Sequence, residues 1–359
     1  MMFLSRVTSR RLLCQLSNRN QTYNNINNQL KFIRNVSSTR PTLGILHHEW
    51  IVSGKVASEE HHHDNDTNRV VVLLHGLLGN GKNLRTPAKK LTEYHPSLSV
   101  LLLDLRGHGM THVNKSKNPF SPPHTIDACA NDIHETLTHL KLVGPQRSPI
   151  GIIGHSFGGR CALSYTHQQL QNFAKQINSN DDNMVVVHPP KHTWLLDTVP
   201  GIADASVANV VNVLSQVKVP INNKREFGQD LIQKHNIDPA IAGWMTTNLT
   251  KIENGFDFTF DLNVIHSVLD DFPKQPFLPM IRDCISEKKQ PTNHNIHVVI
   301  AGKNKEWTDD ILKDLQTIKE ENDNHSLLEM HTLTKAGHWV HVDDLNGLLN
   351  IINQGLSTK

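Results

Sequence analysis

The pentapeptide Gly154-His155-Ser156-Phe157-Gly158 follows the apolar run Pro149–Ile153 and precedes a helical pattern from Phe157 to Lys175. Small residues two before and two after a serine permit a strand-to-helix turn too tight for larger side chains. Such a turn holds the hydroxyl above the sheet as an exposed nucleophile. The N–H of Phe157 then lies at a helix N-terminus, where it can donate to a developing oxyanion. A second donor is offered by His75-Gly76-Leu77 after the run Val70–Leu74, through the N–H of Leu77. The stretch Gly76–Asn83 also fits GxxxxGK up to its last position. A phosphate loop needs Ser or Thr there to reach magnesium, and Asn83 has no hydroxyl.

A serine needs a base, and histidine titrates near neutrality. Lys335-Ala336-Gly337-His338-Trp339 follows the apolar stretch Leu327–Leu333, so His338 sits in a late loop at a strand end. In a parallel sheet that end can reach a serine at the end of an earlier strand. His341 is the nearest rival, but it falls in the next helical stretch. The orienting acid has two candidates. Asp197 closes the run Thr193–Leu196, while Asp261 stands in Phe260-Asp261-Leu262-Asn263. Chain order Ser, acid, His admits both. An acid is often found near position 304, which here is Asn304. Glu306, Asp309 and Asp310 lie close by but toward a helix. Asp197 is the preferred triad acid.

These residues need a scaffold that aligns strand ends. Apolar runs at 70–74, 98–103, 149–153, 193–196, 296–300 and 327–333 alternate with helical patterns at 86–94, 125–142, 157–175, 307–320 and 342–353. Continuous apolar strands alternating with helices predict a mostly parallel α/β sheet covered on both faces. Residues 43–52 add strand material. The polar stretch 177–192 reads as a surface insertion. Residues 202–275 are helical by pattern, with Val207, Val210, Val211 and Leu214 on one face, and show no strong strand of sheet type. They read as a helical cap inserted between two strands.

HGLLG, Asp104-Leu-Arg-Gly-His-Gly109, GHSFGG, LLDTVPG and AGHW, in that order, resemble the α/β-hydrolase superfamily across residues 43–355. Within it they resemble the alpha/beta-hydrolase domain-containing protein 11 branch and its bacterial esterase relatives. That resemblance implies an α/β-hydrolase fold and a lipase or esterase acting on acyl esters, with Ser156 and His338 carried over. It favours an acid in the Asp-x-x-Pro pattern, matched by Asp197-Thr-Val-Pro200, and leaves the cap's Asp261-Leu-Asn as a weaker match. The implied reaction is acyl transfer through an acyl-enzyme, with Leu77 and Phe157 as oxyanion donors and no metal or organic cofactor. A thioesterase or acyltransferase would use the same triad. A binding protein that kept the fold without catalysis is the alternative of another class.

The chain has 359 residues, 37% hydrophobic and 19% charged, enough for one sizeable core. No apolar run approaches the roughly 18 residues of a membrane span. Cys14, Cys129, Cys161 and Cys284 are scattered with no CxxC pair, so neither a disulfide scaffold nor a zinc ribbon is expected. His61, His62 and His63 lie in the polar stretch 58–68, which reads as a loop rather than a metal site. A net charge of +2 is too small to grip nucleic acid. The expected partner is a small acyl ester or lipid.

That charge is unevenly spread. Of the 36 Lys and Arg, seven lie within residues 1–48, where no acid occurs; the rest of the chain holds 29 against 34 acids, a formal −5. An Arg- and Ser-rich, acid-free leader with interleaved Phe3, Leu4, Val7, Leu12 and Leu13 reads as a mitochondrial transit peptide over 1–41. The expected organisation is that leader, then an α/β-hydrolase domain over 42–355, destined for the mitochondrial matrix. N-terminal sequencing of the organellar protein should find residues 1 to about 40 removed; an intact Met1 or Met2 would contradict the leader reading.

Overall fold

The computed structural model describes residues 44–57, 69–114, 120–144, 147–177, 188–203, 205–286, 294–322 and 327–357. The expected leader at 1–41, the loop with His61–His63 and residues 178–187 of the polar stretch lie outside them. Among the described residues there are ten strands: β1 His48–Val52, β2 Lys55–Ala57, β3 Arg69–Leu74, β4 Leu98–Leu103, β5 Gly151–His155, β6 His192–Leu196, β7 Leu249–Ile252, β8 Gly255–Phe258, β9 Asn295–Ala301 and β10 Leu328–Leu333. Eight form one sheet in the order β10-β9-β6-β5-β3-β4-β1-β2. The six from β10 to β4 run parallel, and β1 lies antiparallel to both β4 and β2.

Alternation of side chains divides each strand between two cores. Val70, Val72 and Leu74 join Ile133, Leu137, Leu163 and Leu170 on one face. Val71 and Leu73 join Ala88, Leu91, Leu349 and Ile352 on the other. The first face carries helices Ile126–His139 and Phe157–Ile177, the second Arg85–Tyr94 and Leu345–Ser357. All six residues of β4 are buried, as helical cover on both faces requires. The Thr125 hydroxyl accepts from the Ala128 N–H at 3.1 Å and starts the helix expected there.

The third parallel strand lies two residues later than the apolar run suggests. It spans Gly151–His155, because Gly154 still pairs with Leu74 and Leu195. Between β6 and β9 the described chain forms helices Ala205–Ser215, Lys224–Gln233, Pro239–Thr247, Leu262–Asp271 and Phe277–Ile285. The expectation of no strong sheet-type strand in this stretch is met by a short hairpin only, β7–β8, which stays apart from the main sheet. Its four-residue strands are mostly exposed or half-buried and give no apolar run. The legible signal was the turn Glu253-Asn254-Gly255, where Gly255 takes φ +140°.

Burial holds several histidines neutral. His75 is lowered to about 4 and His108 to about 3, in both cases chiefly by loss of hydration. Unfolded, each titrates near 6.5. The unfolded chain therefore binds more protons between those values, and each histidine should cost about 1.4 kcal/mol of stability per pH unit as pH falls from 6.5 to 4. Urea midpoints measured across that range should drop steeply, and a flat profile would contradict neutral burial.

Candidate active site

The strand β5 runs directly into Ser156, which takes φ +52°, a left-handed conformation costly for a residue with a Cβ. The turn is closed by the Ser156 N–H donating to Leu196 O at 2.9 Å and the Gly159 N–H to Ser156 O at 2.9 Å. Close approach explains the glycines. A Cβ on Gly154 would lie 2.2 Å from Gly158 O, and one on Gly158 would lie 2.5 Å from both Leu74 O and His75 O. Gly159 meets Thr198 Oγ1 in the same way.

Opposite stands His338. Its Nδ1–H donates to Asp197 Oδ2 at 2.7 Å, which leaves Nε2 as the acceptor. Asp197 is buried at the end of β6 with φ +46°. Its carboxylate takes three further donors: Asn304 Nδ2 at 2.8 Å, Trp307 Nε1 at 2.6 Å and the Ala301 N–H at 3.2 Å. Both His338 and Asn304 bind the same oxygen, Oδ2. Asp261 lies elsewhere: it caps the helix Leu262–Asp271 by accepting from the Asn263 N–H at 3.0 Å, and its carboxylate is 3.8 Å from His112.

Two residues that the sequence did not single out thus frame the acid. Asn304 occupies the place where an acid was looked for, and its amide serves the acid at 197. Trp307 carries no motif at all. A third is His155, whose Nε2–H donates to His338 O at 2.7 Å and whose ring lies 4.8 Å from those of His338 and His341. Burial holds His155 well below the usual histidine range, so it serves as a neutral strut. His341 is likewise lowered to about 4 by burial.

The loop after β3 is fixed by two neutral histidines. His75 donates from Nδ1 to Gly76 O at 2.8 Å and accepts at Nε2 from the Leu105 N–H at 2.9 Å. His108 donates to Arg106 O and accepts from the Leu78 N–H at 3.2 Å. The Gly79 N–H closes the turn onto Gly76 O at 3.1 Å. These bonds use the amides of Leu78 and Gly79 and not that of Leu77. The Phe157 N–H opens a helix and so has no intrahelical acceptor. The phosphate-loop alternative meets an anion: Asp104 Oδ1 accepts from the Gly81 N–H at 2.6 Å, where a phosphate would need that amide. Arg106, in the same turn as His108, is held by a bidentate pair with buried Asp132 at 2.6 and 2.8 Å.

Ser156, His338, Asp197 and Leu77 line one cavity of about 720 Å³. Ala203, Val207, Val210, Ile241 and Trp244 line it from the segment after β6. Trp244 meets Trp339 edge to face at 5.8 Å. Ile202 and Val342 also line it and are 76% and 67% exposed, so the mouth carries apolar surface to water. Arg160 anchors the wall. It donates to Val199 O and Gly201 O, both at 2.7 Å, and stacks 4.2 Å over Phe272.

A strained serine between a parallel strand and a helix, facing a paired histidine and aspartate in an apolar cavity, defines an α/β-hydrolase. The profile described as the Alpha/beta hydrolase family matches residues 71–347, and the chain belongs to that family. It is 22% identical over 287 residues to the sn-1-specific diacylglycerol lipase ABHD11 of Mus musculus, covering 80% of each chain. It is 20% identical over 295 residues to esterase YbfF of Escherichia coli (strain K12), covering 81% of this chain and 94% of that one. Among solved structures, a marine microorganism esterase superposes with TM-score 0.60 at 18% identity, covering 86% of this chain and 98% of that one.

The shared oxygen on Asp197 generates a test of the acid. Asp197→Asn should cut ester turnover by about 10⁴, through loss of the correct His338 tautomer. Asp197→Asn/Asn304→Asp should recover part of it, because a carboxylate at 304 starts within reach of the same oxygen site. Asp261→Asn should stay near wild type in the same kinetic series, and a dead Asp261→Asn beside an active Asp197→Asn would reverse the assignment.

Proposed function

We propose that this chain is a serine hydrolase of carboxylic esters with apolar acyl groups, working through the triad Ser156, His338 and Asp197. The observation that carries the reading is the 2.7 Å His338–Asp197 hydrogen bond in the cavity that Ser156 also lines. The names of the relatives, lipase and esterase, support an ester-hydrolysing enzyme. The acid-free leader supports import into the mitochondrial matrix.

The mechanism follows from which atoms are free. Ser156 Oγ attacks the ester carbonyl carbon while His338 Nε2 takes its proton. The resulting imidazolium is stabilised by Asp197, whose four donors hold the carboxylate in place. Oxyanion charge falls to the Leu77 and Phe157 N–H groups. His338 then protonates the leaving alcohol, whose departure forms the acyl-enzyme. Water, deprotonated by the same Nε2, reverses the sequence and releases the acid. No metal or organic cofactor takes part.

Substrate preference follows from the roof over 202–275, which we assign as a helical cap. Its apolar lining gains from each buried methylene at about 0.8 kcal/mol. Extending a short acyl ester by two methylenes should therefore raise kcat/KM about tenfold, until the cavity is full. A flat profile of p-nitrophenyl esters from acetate to octanoate would refute the apolar roof. Ser156→Ala should fold normally, lose labelling by a fluorophosphonate probe and lose turnover by several orders of magnitude, as removal of a nucleophile does. Labelling or turnover within about tenfold of wild type would overturn the triad.

A further inference from the structure

A cluster of imidazoles lies on the sheet away from the cavity, and the ester chemistry uses none of it. His297 on β9 is paired in register with Glu329 on β10, and His331 follows Glu329 by two residues. In a parallel pair that register sends all three side chains to one face. That face is covered by the C-terminal helix: a Cβ on Gly355 would lie 3.3 Å from His297 Nε2 and 2.7 Å from the Trp194 ring. His192, Trp194, His297 and His331 form a row of stacked rings there, with successive centroids 4.8–5.6 Å apart.

The spacing of three atoms singles out this group. His297 Nδ1 and His331 Nε2 are 3.4 Å apart, His331 Nε2 and Glu329 Oε2 are 3.4 Å apart, and His297 Nδ1 and Glu329 Oε2 are 3.7 Å apart. Ligands bound about 2.0–2.2 Å from a tetrahedral zinc lie roughly 3.3–3.6 Å from one another. The triangle therefore has the edges of one face of a zinc tetrahedron. The geometry points to a second, non-catalytic site for a borderline divalent cation, Zn²⁺ above all, held by His297 Nδ1, His331 Nε2 and Glu329 Oε2.

Two further features fit that assignment. His297 Nε2 lies 3.0 Å from His192 Nδ1, so a ligating Nδ1 leaves Nε2–H to donate to His192. Such an outer partner fixes the tautomer and the ring plane of a metal-bound histidine. Side-chain exposure rises from 1% at His297 through 17% at His331 to 42% at Glu329, which leaves an entry path on the solvent side. A cation there would pin the edge strand β10 to β9. The ligands come from two strands, with His331 34 residues after His297, a spacing that matches no short metal motif.

The test uses the full chain, stripped with a chelator and titrated with Co²⁺ and then Zn²⁺. One equivalent of Co²⁺ should produce a visible ligand-field absorption that Zn²⁺ abolishes, and Zn²⁺ should raise Tm. His331→Ala and Glu329→Gln should each weaken binding by at least about tenfold, since loss of even an outer partner costs that much. Both sites are partly exposed, and Glu329→Gln keeps the side chain's shape, so folding can be checked by the metal-free melt. Their ester turnover should match wild type. His61→Ser/His62→Ser/His63→Ser should keep the absorption. Absence of the absorption in the wild type, its survival in both His331→Ala and Glu329→Gln, or its loss in the triple loop variant would overturn the site and leave a hydrogen-bonded histidine pair.

Discussion

A carboxylate withdrawn from water at the end of β6 governs the geometry of this candidate active site. Burying Asp197 is expensive unless every lone pair finds a donor, and the cost of an unpaired ion forces the surroundings to supply them. Four donors converge on it: an indole, a side-chain amide, a backbone N–H and the His338 imidazole. They come from the last residue of β9 and from the loops after β9 and β10, so one ion fastens the C-terminal ends of three neighbouring strands. Its left-handed backbone is the local strain accepted for that position.

Around that ion, histidine is used as a structural donor and acceptor far more often than as a base. His75, His108 and His155 are buried and neutral, and each bridges a loop that bears on the site. A neutral imidazole presents one donor and one acceptor on a rigid ring. It can therefore bridge two backbone groups across a gap that a shorter side chain cannot span. His338 differs by being partly exposed and aimed at a carboxylate, and this environment separates the proposed base from its neighbours.

Strand boundaries and hairpins show where pattern reading met its limit. Buried parallel strands such as β3 and β4 were legible because both faces are apolar and the whole run is hydrophobic. The strand β5 was displaced because two of its five residues are glycines, which carry no hydrophobic signal, yet pairing with β3 and β6 extends the strand to His155. The hairpin β7–β8 was missed because short, half-exposed strands leave no apolar run, although its Asn-Gly turn was in view.

By itself the sequence determined the serine turn, the late histidine, the preference for Asp197 and the alternation of buried strands with helices. Each is a local pattern whose physics acts within a few residues: glycines where a Cβ would strike backbone, apolar runs where both faces are covered. Only the tertiary structure decided which groups satisfy Asp197, that Asn304 is a donor where an acid was looked for, and that His155 props the loop of His338. It alone aligned His297, Glu329 and His331 on one face. Those relations are set by strand register and by loops meeting at a common sheet edge. Register is a property of paired strands, which no single stretch of chain encodes.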